Sequence, residues 1–308
     1  MSSLKEIKSR IASVRSTQKI TSAMRMVSSA KLHRTQNMTQ NFLRYAEELR
    51  TAMEKALMTP FVLSGTSPST GREPSGQHSL PIEGEARGKG VPVILIPISS
   101  SSGLCGAFNS NIIKATMQRI SEYKAQGVDV RLIPIGKKIT KELKKDTTLP
   151  LNLDYAALNE RVEKGDAFGQ IQALTQLLQE SYEAGTVGQA ELLYHHFVSM
   201  GRQQIQTRQL QLAKPVAANI PPEQRTFLTE PSPQELADEL HPKLLNAEVY
   251  GALLDAITSE HAARMLAMQT ADDNANELLH ELTLLYNKTR QQAITNELID
   301  IMGGKISQ

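Results

Sequence analysis

Tryptophan is absent from this 308-residue chain, aromatic residues make up only 4% of it, and there is a single cysteine, Cys105. A chain so poor in large side chains suits slender helix packing better than a deep globular core. One cysteine excludes an intramolecular disulfide and any zinc site built from several thiolates, as expected of a cytosolic chain. Long apolar runs are missing too. The longest, 91–98, holds eight residues including two prolines, against the roughly 20 that a membrane-spanning helix needs. A net charge of +2 excludes bulk attraction to a polyanion.

The absence of proline and glycine is local, and it locates two long helices. Neither residue occurs from Ser3 to Met58, where stripes at Leu4, Ile7, Ile11 and Val14, and again at Met38, Phe42, Tyr45, Leu49, Ala52 and Ala56, step by threes and fours. The stretch from Lys243 to Met302 is free of proline, with stripes at Ala267, Ala271, Asn274 and Leu278 and at Ile294, Leu298 and Ile301. At a rise of about 1.5 Å per residue each helix spans on the order of 80 to 90 Å, which predicts that they pair with each other as a shaft. Small residues (Ala252, Ala256, Ala263, Ala267, Ala271, Ala275) permit close approach. Charge favours antiparallel pairing. Lys5, Lys8, Arg10, Arg15, Lys19, Arg25, Lys31 and Arg34 face the single acid Glu6 in the first segment, whereas acids outnumber bases from Asp255 to Asp300.

Between the helices the pattern changes. Residues 60–90 are rich in glycine, proline and serine and read as a flexible polar loop. Residues 91–213 alternate strands and helices. Strands are expected at 91–98, 128–135, 190–199 and 203–212, the last two as a hairpin turning at Met200-Gly201-Arg202, and helices at 109–126, 137–145 and 166–184. Such alternation implies an α/β domain with at least part of its sheet parallel. Residues 214–242 read as a connector carrying a short helix. Ser232 supplies its N-cap, Pro233 its first position and Glu235 a capping box, and His241-Pro242 bends the chain before the terminal helix at 243–308, which Gly303-Gly304 stops.

Several chemistries are weighed by residue type. The turn from Ser99 to Asn109 joins a strand to a helix, where backbone N–H groups can cradle phosphate, but it lacks the Gly-Lys-Ser/Thr ending and any lysine. Cys105 as a nucleophile needs a base, and His195 or His196 is the candidate; as strand neighbours they point to opposite faces, so only one can serve. A buried structural thiol is the plainer reading. The seven histidines have no ligand spacing for a metal, and no cofactor is expected. The basic first helix has no aromatic residue before Phe42 and suits an acidic protein partner better than nucleic acid.

Three blocks carry a resemblance over nearly the whole chain: SLKEIKSRI (3–11) with TQKITSAMRMV (17–27); GLCGAFNSN (103–111); and SEHAARMLAM (259–268) followed by DNA (273–275) and LLYNKTRQQAITNE (284–297). In this order they resemble the gamma subunit family of F-type ATP synthases, of bacterial type. The chain departs from that family in having Ser101-Ser102 where Asp-Arg is frequent, in a longer 64–90 loop, in its tail from Lys305 to Gln308, and in lacking the cysteine pair of the chloroplast type.

The resemblance implies a long antiparallel two-helix coiled coil with a Rossmann-like α/β globule inserted. It implies a non-catalytic rotor that couples transmembrane ion flow to ATP synthesis or hydrolysis in beta subunits, with the alpha and beta subunits, the epsilon subunit and the c-ring as partners. The location it implies is the cytoplasmic side of a bacterial inner membrane, held peripherally. Matching positions assign beta-subunit contacts to Lys19, Met24, Arg25, Arg264, Arg290, Gln291 and Thr295, and put Glu230 on the c-ring and epsilon side. The alternative is a non-rotary two-helix adaptor or chaperone-like coiled coil.

Overall fold

A computed structural model describes residues 4–57, 91–143, 167–216, 230 and 232–304. Helix α1 runs over Leu4–Leu57, and the last helix, α5, over Pro233–Gly304. Between them lie β1 (Val93–Pro97), α2 (Phe108–Ala125), β2 (Val130–Leu132), α3 (Lys137–Leu143), α4 (Phe168–Glu183), β3 (Gln189–Ser199) and β4 (Arg202–Leu210). The expected 60–90 loop and the last four residues lie outside the described residues.

The sheet order is β2-β1-β3-β4. β1 is parallel to both neighbours, pairing Val93 with Val130 and with Gln189, while β4 folds back antiparallel on β3 as the predicted hairpin. Because alternate strand residues point to opposite faces, β1 feeds two cores. Ile94, Ile96 and Ile98 meet Ile171, Leu174 and Leu178 of α4 together with Leu245, Val249 and Leu253 of α5. On the other face Val93 and Leu95 meet Ile112 of α2 and Ile139 of α3. Burying about eight or ten such aliphatic side chains, at roughly 1.5 to 3 kcal/mol each, is what makes this middle segment a domain.

α5 is therefore wanted by two neighbours at once. Its 245–256 stretch lies on the sheet, and on its other side Ala237 and Leu244 pack with Met53 and Leu57 of α1. This corrects the expected use of the small residues: Ala252 and Ala256 face the sheet core rather than α1.

The expected break at His241-Pro242 does not occur, and α5 continues through Pro242. A proline inside a helix forfeits one hydrogen bond and costs about 3 kcal/mol. Here both flanking turns are held by other contacts: His241 Nε2 lies 2.9 Å from the Gln211 carbonyl, and Ala237 and Leu244 are buried on either side. The predicted start does form, with the Glu235 amide donating to Ser232 Oγ at 3.2 Å.

Candidate functional site: the two-helix shaft and its turn

Pairing between α1 and α5 is antiparallel. Gln18 donates to Asn276 at 2.6 Å, Arg25 to Gln269, Thr39 lies 3.3 Å from Thr258, and the Phe42 ring meets Tyr250 edge-on at 4.9 Å. Partner numbers fall along α5 as they rise along α1. From Leu4, steps of three and four alternate without a slip through Ile7, Ile11, Val14 and onward to Met53 and Ala56, and every residue on that track is buried or half-buried. That average step of 3.5 is the heptad of a left-handed coiled coil.

On α5 the same alternation marks Thr258, His261, Met265, Met268, Asp272, Ala275, Leu279 and Leu282. The stripe expected at Ala267, Ala271, Asn274 and Leu278 is one position off this seam, and Asn274 and Leu278 are exposed. In an Ala- and Leu-rich helix several adjacent faces carry plausible stripes. α1 selects one of them. On α1, Phe42, Leu49 and Ala56 lie on the seam, while Met38 and Tyr45 flank it in solvent.

Between apolar layers the seam turns polar: Gln18, Thr21, Arg25 and Ser28 follow one another on α1. Arg25 Nη1 lies 3.7 Å from Asp272 Oδ2 as well as donating to Gln269. The other seven basic residues of the first segment are exposed, so the charge contrast read from sequence forms mostly an outward basic face rather than ion pairs between the helices.

Lys19 is exposed and Met24 half-buried on α1. Counting equally from the Gln18–Asn276 bond, Leu4 falls level with Arg290, so Gln291 and Thr295 lie past the described start of α1. Arg290, Gln291 and Thr295 are all exposed, and the Thr295 hydroxyl donates to the Gln291 carbonyl at 2.9 Å. Glu230 is exposed at the foot of α5.

Arg264 is different. It is 8% exposed, and its guanidinium donates to Ser102 Oγ at 2.7 Å and pairs with Glu260 at 2.7 Å. It pins the turn between β1 and α2 to the shaft. Within that turn the Ser100 amide donates to Asn109 Oδ1 at 3.1 Å, and Asn109 Nδ2 donates to Cys105 Sγ at 3.1 Å. These side chains of the turn bond to one another and to Arg264. Leu104 holds a left-handed φ of 63°, and Gly136 at φ 106° admits no side chain, since a Cβ there would lie 2.3 Å from the Ser99 carbonyl oxygen.

Cys105 is buried, and its polar neighbours are Ser100, Ser102 and Asn109. His195 stacks on Phe108 with ring centroids 4.1 Å apart, and neither of its ring nitrogens has a hydrogen-bond partner among the described residues. Burial pushes its pKa down to about 4. His196 points to the opposite face, where Nδ1 lies 2.6 Å from Asp255 Oδ2 and the carboxylate raises its pKa. Neither is arranged as a base for the thiol. Among the described residues no three His, Cys, Asp or Glu side chains gather where a metal ion could sit, and no helix is long and apolar enough to cross a membrane.

Two buried polar features escape sequence reading. Glu191 on β3 accepts from Arg119 Nη2 at 2.8 Å and Nε at 3.0 Å, and from the Tyr123 hydroxyl at 2.5 Å. Glu248, on the α5 face toward β3 and β4, is pushed by burial up to about 7, with Arg208 pulling partly back. Neither has a sequence signal, because Glu191 sits in an apolar strand and Glu248 in an ordinary helical stretch. The seam position of Arg25 was within reach, since Gln18 and Arg25 lie one heptad apart on the same track, but its partners on α5 were not.

Comparison with known proteins agrees with this architecture. A family model described as ATP synthase matches residues 3–307. An ATP synthase gamma chain of Parabacteroides distasonis is 46% identical over 305 residues, covering 99% of this chain and 98% of that protein. One from Bacteroides fragilis is 42% identical with both chains fully covered. Among solved structures, a chain of the Euglena gracilis mitochondrial ATP synthase, from an assembly of OSCP, F1 and c-ring, aligns with a TM-score of 0.60 at 17% identity, covering 99% of this chain and 94% of its own. A shaft of two antiparallel helices around an inserted α/β sheet, matched end to end by such relatives, makes this chain a member of the ATP synthase gamma chain family.

Proposed function

We propose that the chain is the central rotor of a bacterial F-type ATP synthase. The antiparallel shaft inserts into the bore of a hexamer of alternating alpha and beta subunits, and the α/β globule stands on the c-ring beside the epsilon subunit. The complex holds the chain peripherally on the cytoplasmic side of the inner membrane. The chain itself breaks and forms no bonds. Its turning surface presents different contacts to the three beta sites, and an element that binds one state better than another biases each site in turn. The observation that carries this reading is the end-to-end match to ATP synthase gamma chains together with a shaft exposed along its upper length.

The beta-facing contacts fall to Lys19, Met24, Arg290, Gln291 and Thr295, whose side chains are exposed or half-buried. Arg25 and Arg264 join them only with N–H groups left over from Gln269, Asp272, Ser102 and Glu260. Glu230 belongs to the c-ring and epsilon end. Exposed hydrogen bonds to charged groups, about 1.5 to 3 kcal/mol each, suit a catch that must be made and released at every step. The test is to recover the tagged full chain from its own cells. Alpha, beta, epsilon and c chains should travel with it, with ATP hydrolysis, and recovery without alpha and beta would point to the adaptor reading instead.

A further inference from the structure

Within the shaft, apolar layers say little about alignment, because one leucine or alanine layer accepts another almost equally well. The polar stretch of the seam is selective. Arg25 occupies a core position of the α1 heptad, and Asp272 a core position of α5, where it is 8% exposed. The guanidinium reaches Asp272 Oδ2 at 3.7 Å and donates to Gln269, while Gln18, one heptad above, donates to Asn276, one heptad beyond Gln269. Asp272 Oδ1 is buried without a hydrogen-bond partner among the described residues. Such a pair is a poor source of stability, since two charges lose water for an incomplete set of bonds. Its use lies in excluding other alignments.

We propose that Arg25 and Asp272, supported by Gln269 and by the Gln18–Asn276 bond, are positioning residues that set which faces of α1 and α5 meet along the upper shaft. This rests on the rotor reading for its purpose, since a rotor must present Lys19 and Met24 at a constant angle to the globule. The alignment itself is a property of the chain alone and is tested apart from it. A shift by one position would carry Arg25 into solvent and strand Asp272 opposite an apolar layer. The apolar steps at Ile7, Ile11 and Val14 above, and at Leu32 below, oppose such a shift much less.

The experiment measures the spread of distances between spin labels on the full-length chain in a Cys105→Ala background, with labels at Lys8→Cys and Lys288→Cys, both exposed and clear of the polar stretch. The parent should give one narrow distance. Arg25→Leu combined with Asp272→Leu should give a broad or split distribution while its thermal midpoint stays at or above the parent's. A narrow distribution in that double variant would overturn the proposal, because apolar packing alone would then set the alignment. A broad one with a lowered midpoint would overturn it too, as simple loss of packing. If the leucine pair aggregates, the swapped pair Arg25→Asp with Asp272→Arg decides. It should recover a distribution narrower than that of Arg25→Asp alone, and equal widths would refute the assignment.

Discussion

The lower and upper parts of the shaft are built on different principles. Below Phe42, α5 is gripped from two sides, by the sheet through Leu245, Val249 and Leu253 and by α1 through Met53 and Leu57. Tyr250 is packed edge-on between Phe42 of α1 and Phe168 of α4. Above Leu32 α1 packs on α5, the globule reaches the shaft through the Ser102 turn, polar residues interrupt the apolar seam, and Ile20, Met26 and Val27 stand in solvent. Stability resides where three layers meet. The upper segment, held by a few directed contacts, is free to present its surface to something else. The difference implies that the same kind of substitution should unfold one end and merely alter the behaviour of the other.

The largest effect is expected at the globule. Arg119→Ala removes the cation paired with Glu191, which is 3% exposed, and leaves the buried carboxylate only the neutral donors of Tyr123 and Gln189, at a cost of about 3 to 5 kcal/mol. Urea unfolding should show that loss, and Arg119→Ala with Glu191→Gln should recover part of it. Met53→Ala, at a fully buried position of the lower shaft, should cost about 2 to 5 kcal/mol by transfer and cavity terms. Equal losses for Met53→Ala and for truncation of exposed Met26 would break the contrast between the two ends.

Glu248 yields a pH signature. Its folded pKa of about 7 lies above the ordinary 4.5, so the folded state holds a proton that the unfolded state has released. Stability from this group is therefore lost as pH rises from about 4.5 to 7 and is level on either side, a swing on the order of 3 kcal/mol. Glu248→Gln should remove it, gaining on the parent at pH 8 relative to pH 4.5. A parent and variant that keep a constant gap across that range would refute the burial argument.

The smallest effect on stability should fall at the top. Arg290→Ala with Gln291→Leu should stay within about 0.5 kcal/mol of the parent, as exposed substitutions do, while ATP-driven ion pumping in the reconstituted complex falls. Normal pumping would return both residues to plain solvated surface.

Much of this division is visible in the residues before any folding. The absence of proline and glycine across 3–58 predicts α1, and the strands at β1, β3 and β4 lie within three residues of where β-branched runs and turn residues place them. The hairpin and the Ser232 cap follow from local chemistry alone. The face of α5 was less legible, since its small and aliphatic residues offer several stripes at helical spacing. Continuity through Pro242 was hidden as well, because the contacts that offset its lost hydrogen bond come from Gln211 and from α1.

The length of α1, the strand positions and the basic face of α1 were determined by the sequence itself, because backbone propensity and periodicity act within a few residues of each other. Tertiary structure decided which stripe of α5 became the seam, that Arg25 turned inward to Asp272 while Lys19 faced water, and that Arg264 tied the Ser102 turn to the shaft. Each of these pairs groups more than a hundred residues apart in the chain. Only closure of the fold brings such groups within the few ångströms at which a hydrogen bond or an ion pair distinguishes one partner from another.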